Sequence, residues 1–132
     1  LSDAGLSTDS NLIYAEDDQY DDGLEAWSKL SVIDNPPTAF FAGNDEIAIG
    51  LIHGAQDSGV RVPEDIEVMS FENSKLARMV RPQLTSVVLP LYDIGAVAMR
   101  LLTKLMNKEQ VEDVNVILPH RIEQRESVKV GK

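Results

Sequence analysis

The chain contains no cysteine among its 132 residues. Disulfides and thiolate metal sites are therefore excluded, and a reducing, cytoplasmic setting is compatible with its chemistry. Cationic side chains are few: 12 Lys and Arg against 22 Asp and Glu leave a formal net charge of −10. Gripping nucleic acid or an anionic membrane needs clustered Lys and Arg, so this chain is not expected to do either by itself. A basic module elsewhere on a longer chain remains compatible with that balance. No apolar run approaches the roughly 18 residues a membrane span needs, and no signal peptide is visible. Internal repeats and low-complexity stretches are also missing. What is present is a globular composition, 43% hydrophobic, long enough for one domain with a core. The chain opens at Leu1, and Leu1-Ser-Asp-Ala-Gly-Leu6 reads as a helix tail stopped at Gly5. The expectation is a fragment whose N-terminal part is missing.

Strand and helix patterns alternate. Asn11 to Ala15 reads as a short strand. The acids from Glu16 to Asp22 precede a helix with Leu24, Trp27 and Leu30 at helical spacing, where the helix dipole favours negative charge. Thr38 to Ala42 is apolar on both faces, as buried parallel strands are. A polar turn follows, where Asn44 or Asp45 can cap a helix carrying Ile47, Leu51 and Ala55 to a stop at Gly59. Ile66 to Phe71 is a second buried strand, Lys75 to Val80 a short helix ended by Pro82, and Thr85 to Leu89 a third strand. Tyr92 to Asn107 is the strongest helix pattern, and Val114 to Leu118 reads as a final strand. This order predicts parallel βαβ units: an α/β fold with a parallel sheet flanked by helices.

Few residues invite chemistry. Asn44 and Asp45 sit where open α/β sheets bind small ligands, at the carboxyl end of a strand, and either can equally be a plain helix cap. The helix from Tyr92 carries an apolar stripe of Ile94, Ala98, Leu101, Leu102 and Leu105, and a second stripe of Asp93, Val97, Arg100 and Lys104. Arg100 and Lys104 are one turn apart on one side. Such a pair can hold a phosphate, Arg by its planar fork and Lys as a point charge, or can be a solvated face. The acids from Glu16 to Asp22 lack a Gly-punctuated calcium loop and read as a charged helix entry. Trp27 reads as core, and His120 is assigned no chemistry. Neither Ser86 nor Ser127 has the His and Asp spacing of a nucleophile. With no phosphate-binding glycine loop, zinc spacing or paired catalytic carboxylates, an enzyme is not expected, and no cofactor is implied.

Five segments together resemble the sensing core of LacI/GalR-type transcription regulators. They are Phe41-Ala-Gly-Asn-Asp-Glu-Ile-Ala-Ile-Gly50, Gly59-Val-Arg-Val-Pro-Glu-Asp-Ile66, Ser70-Phe-Glu-Asn73, Arg81-Pro-Gln-Leu-Thr-Ser-Val87 and Leu118-Pro-His-Arg121. Within that family, Arg81 to Val88 followed by Leu91 to Lys104 resembles the branch that governs carbon catabolite repression in Gram-positive bacteria. Its corepressor is the phosphocarrier protein HPr phosphorylated on a serine. The resemblance implies that Arg100 and Lys104 contact the phosphoserine and that Met79, Tyr92, Asp93, Val97 and Arg121 contact the carrier around it. It also implies an effector pocket between two lobes, with Asn44 and Glu72 at its edge and Asp45 beside the helix cap, and sugar phosphates as weak accessory effectors. Most relatives carry Gly-Phe-Asp where this chain has Ser70-Phe-Glu72, and the longer Glu argues against direct sugar binding. A homodimer is implied, with Ile49, His53 and Val80 at its interface, and operator DNA is bound only through an N-terminal head absent from this chain.

The family architecture is periplasmic-binding-protein-like, and its chain crosses between lobes. Residues 1–88 would form the C-terminal lobe, 89–118 would belong to the other lobe, and 119–132 would return. The apolar stripe on the helix from Tyr92 then lacks its partner, and the fragment is expected to be held by another chain or rearranged around that helix. Two rivals stand beside this reading: the C-terminal lobe of an extracytoplasmic sugar-binding protein, and an enzyme on a doubly wound fold.

Overall fold

The computed structural model describes residues 19–111 and 115–130, together with Asp3, Gly5 and Asp17. The strand expected at Asn11 to Ala15 lies outside the described residues, as does most of the helix tail expected around Gly5. The elements in order are α1 (Tyr20–Leu30), β1 (Ala39–Ala42), α2 (Asp45–Asp57), β2 (Glu67–Glu72), α3 (Leu76–Met79), β3 (Thr85–Val88), α4 (Leu91–Met106) and β4 (Arg121–Glu123). The four strands form one sheet in the order β1-β2-β3-β4. The first three are parallel, with Ala42 opposite Ser70 and Ser70 opposite Ser86. The expected α/β architecture is therefore present.

Local chemistry sets the helix ends. At α1, the Gln19 N–H donates to Asp22 Oδ2 at 2.9 Å, and Asp21 and Asp22 lie in the first turn, where negative charge meets the positive helix end. At α2, the Asn44 side chain accepts from Ile47 N at 2.8 Å, an N-cap bond. The helix stops at Gly59, whose φ of 80° suits a residue without Cβ.

Helices α1 and α2 cross at two glycines. A Cβ on Gly23 would run into the carbonyl oxygen of Ile47, and one on Gly50 into that of Tyr20. Trp27 lies against Gly54 and donates its indole N–H to Ser58 Oγ at 3.0 Å. Its ring meets Phe40 edge-on with centroids 6.4 Å apart. The core beneath is built on the fully buried Ile52, Val68 and Leu84 with Ala48, Ala55 and Ala77 around them.

Two expectations change. Asn115 to Leu118 forms no strand, and the last strand is β4, three residues further on and antiparallel to β3. The chain leaves the end of β3 through α4 and returns beside the point where it left, with Arg121 opposite Val88, so it must run against β3. Second, β1 and β2 are covered on one face only. Phe41 and Phe71 point to the other face and are exposed, where residues 89–120 leave a cavity over them instead of a packed layer.

The C-terminal segment closes the sheet. Ser127 is fully buried. Its carbonyl accepts from Val68 N at 3.0 Å, its hydroxyl donates to Val68 O at 2.6 Å, and that hydroxyl accepts from Thr85 N at 2.8 Å. Ser127 therefore bridges the starts of β2 and β3.

The turn before β2 is tied by Arg61, which donates to Asp65 through Nε at 2.9 Å and Nη2 at 2.7 Å, while its backbone N–H adds a third bond at 2.9 Å. The guanidinium bonds and then the backbone N–H hold the Asp65 carboxyl down at about 2. A depressed carboxyl stabilises the fold above its unfolded value and loses that contribution as pH falls toward the folded value. Arg61→Ala removes the guanidinium but keeps the backbone N–H, so Asp65 is expected to titrate higher, part of the way back toward 3.8, followed by its side-chain carbon NMR shift. Titration that stays near 2 in the variant would show that the guanidinium is not the cause.

Candidate functional site

The carboxyl ends of β1, β2 and β3 place Asn44, Asp45 and Glu72 at one edge, as an open α/β sheet requires. They are not equivalent. Asp45 is fully buried, and its oxygens are occupied: Oδ1 accepts from Ser70 Oγ at 2.5 Å and from Ser86 Oγ at 3.2 Å, and Oδ2 accepts from Ser74 N at 2.5 Å. Beside the helix cap, where the resemblance places it, the carboxylate is an internal brace joining the start of α2 to β2 and β3. Asn44 is half-buried and caps α2. Glu72 is exposed.

Glu72 and the next residue, Asn73, both have positive φ, 124° and 57°. Such non-glycine conformations cost on the order of 1–3 kcal/mol each and persist where the surroundings fix them. Here the surroundings do so. Asn73 N donates to Ser86 Oγ at 3.0 Å, Arg125 Nη2 donates to Asn73 Oδ1 at 2.6 Å, and Ser74 N is bound by Asp45. Arg125 also donates through Nη1 to Leu84 O at 2.6 Å. Sequence reasoning assigned no role to Ser70, Ser86 or Arg125. Only the buried Asp after a helix cap could have drawn attention to this cluster.

An apolar cavity of about 440 Å³ opens on the uncovered face. Phe41, Phe71, Val87, Ile94 and Leu118 line it, with His120 as its titratable neighbour. Asn44, Asp45 and Glu72 do not.

The second candidate surface is α4. It carries no buried residue. One side presents Asp93, Arg100 and Lys104, all exposed, with Val97 half-buried among them. Arg100 and Lys104 make no ion pair with any described residue. Tyr92 is 87% exposed at the first turn. The other side leaves Ile94, Leu102 and Leu105 exposed. The rearrangement expected around this helix is therefore not seen. Arg121, opposite Val88, stands beside the foot of α4 and pairs loosely with Glu123 at 3.6 Å. Met79 is exposed at the end of α3.

The three residues expected at a dimer interface lie on α2 and just after α3. Ile49 and Val80 are buried in the core cluster, covered by this chain's own elements. The His53 ring meets Tyr20 edge-on and shares a 2.9 Å hydrogen bond between Nδ1 and the Tyr20 hydroxyl. Within one chain these side chains pack against its own elements, and His53 keeps a half-exposed surface.

This sheet, its capped α2 and the site at its carboxyl edge define a periplasmic binding protein-like domain, and the chain belongs to that family, whose model matches residues 1–128. Its likeness extends to a particular regulator. Catabolite control protein A of Priestia megaterium is 58% identical over 129 residues, which cover 98% of this chain and 39% of that protein. The crystal structure of the transcription regulator CcpA of Lactococcus lactis superposes with a TM-score of 0.86 at 42% identity, over 97% of this chain and 46% of that one. The transcriptional regulator CelR in its cellobiose complex gives 0.85 at 32% identity, over 96% of this chain and 38% of that one. The chain spans about two fifths of the length of the curated relative. These relatives are transcription regulators rather than enzymes, so the enzyme rival falls away. Among the described residues, no helix is long and apolar enough to cross a membrane.

Proposed function

We propose that this chain is the C-terminal effector- and corepressor-binding part of a DNA-binding regulator of carbon catabolite repression, and that it takes serine-phosphorylated HPr on α4. The observation that carries this reading is the pair Arg100 and Lys104, one turn apart and exposed with no acidic partner among the described residues, on a chain whose net charge is −10. A phosphoserine dianion matches that pair. Tyr92 and Val97 offer apolar contact beside it, and Arg121 and Met79 extend the carrier surface. Asp93 would accept from donors on the carrier.

In this reading residues 1–88 and 119–132 make one lobe and 89–118 belong to the other, whose sheet would cover the apolar side of α4. The bare stripe of Ile94, Leu102 and Leu105 supports that division. The intact protein would act in the cytoplasm as a homodimer and reach operator DNA through an N-terminal head. Sugar phosphates would act only as weak accessory effectors. Corepressor binding would favour the arrangement of lobes that sets two heads one operator apart.

The test is binding of serine-phosphorylated HPr to the full-length protein by calorimetry. A charge-assisted hydrogen bond contributes about 1.5–3 kcal/mol, so Arg100→Ala and Lys104→Ala are each expected to weaken binding about tenfold to a hundredfold. Unphosphorylated HPr should bind no better to wild type than the phosphorylated form binds to the double variant. Wild-type affinity in both single variants would remove α4 as the phosphate site.

A further inference from the structure

The edge that carries Glu72 and the strand that carries Arg121 are parts of one construction. Glu72 is opposite Val88, and Val88 is opposite Arg121. The three residues thus share one rung, and two strand spacings place Glu72 and Arg121 about 10 Å apart on the same face. Arg125 adds a second tie. It lies two residues beyond β4, its backbone N–H is held by Thr85 Oγ1 at 2.9 Å, and its guanidinium reaches Leu84 O and Asn73 Oδ1, both at 2.6 Å. The residue it grips, Asn73, completes the strained pair whose first member is Glu72.

We propose that Arg125 is a positioning residue that couples the carrier-binding strand at Arg121 to the turn presenting Glu72, so that a partner seated on α4 and Arg121 tightens that turn. This rests on the corepressor reading above. A guanidinium has donors in a fixed fork. When β4 and the segment that follows it to Ser127 are held by a partner, the fork is held with them, and the Asn73 side chain is fixed in turn. When that strand moves, the turn loses a bond that helps keep Asn73 at φ 57°.

The test is backbone hydrogen exchange in the full-length regulator, with and without serine-phosphorylated HPr. In wild type, the complex is expected to slow exchange at the Asn73 and Ser74 N–H groups by about tenfold relative to the free protein. Arg125→Met should abolish that slowing while leaving the protection of α4 intact. Asn73→Gly is the second variant. It removes the Oδ1 acceptor but suits a positive φ without strain, so it keeps the turn's backbone while losing the tie, and should lose the slowing. A simply structural Arg125 would change exchange in the free protein and leave the difference made by the partner unchanged. Slowing that persists in Asn73→Gly, or its absence in wild type while α4 is protected, overturns the proposal. No protection of α4 in wild type overturns the corepressor reading itself, and the coupling with it.

Discussion

Gly50→Ala is expected to destabilise the protein by at least about 3 kcal/mol, read from urea unfolding. Alanine normally improves a helix interior by about 1 kcal/mol over glycine, so the sign here is set by packing alone. The added methyl would meet the Tyr20 carbonyl oxygen, with Gly23 Cα and Leu24 N both at 3.1 Å. All three are backbone atoms and cannot turn aside as a side-chain tip can. Relief requires α1 to lift from α2. That would loosen Trp27 from Gly54 and part the Tyr20–His53 hydrogen bond. Against a typical total stability of 5–15 kcal/mol, this is a large fraction. Gly23→Ala should behave the same way, since its Cβ meets Ile47 O, with Leu51 N at 2.7 Å. Gly95→Ala is the control: a Cβ there meets nothing within 4 Å, and it should be neutral or slightly stabilising. If Gly50→Ala unfolds at the wild-type urea midpoint, the helices are not packed this closely.

Asp45→Asn is expected to cost about 3 kcal/mol, although it preserves shape. The carboxylate accepts from three donors: the hydroxyls of Ser70 and Ser86 and the N–H of Ser74. An amide has one acceptor oxygen and presents N–H groups where the other oxygen stood. At least one buried donor then faces another donor. The change also removes a negative charge from the first residue of α2, where the helix dipole favours it. Ser70→Ala leaves the carboxylate two of its three donors, and although it also removes the 2.8 Å contact with the Ser86 hydroxyl, the cost should be smaller, about 1–2 kcal/mol. Urea midpoints with an unchanged slope would measure both. An Asn variant as stable as wild type would show that the brace does not need a carboxylate.

The sequence showed most of the fold because its signals are local. Asn44 before a helical run and Gly59 after it mark α2 at both ends, and the apolar runs before and after give β1 and β2. The last strand was misplaced because Val114 to Leu118 is more apolar than Arg121-Ile-Glu123. The true strand lies at the sheet's edge, where exposed polar residues are tolerated, and its position is fixed by the return of the chain to Val88. At the site, Asn44 and Glu72 were legible as residues at strand ends. The brace was not, since Ser70, Ser86 and Arg125 come from three segments and no spacing links them. The contact of His53 with Tyr20 was not legible either, since the two are 33 residues apart and no spacing links them.

The position of Ser127 also bears on how the chain is made. It completes hydrogen bonds to Val68, 59 residues earlier. Synthesis at 5–20 residues per second leaves about 3–12 s between the two. Throughout that interval the starts of β2 and β3 lack their bridge, and Arg125 has not arrived to hold the Asn73 turn. The sheet cannot close as its strands emerge but waits for Ser127, and a nascent chain stalled before that residue presents an open sheet to chaperones.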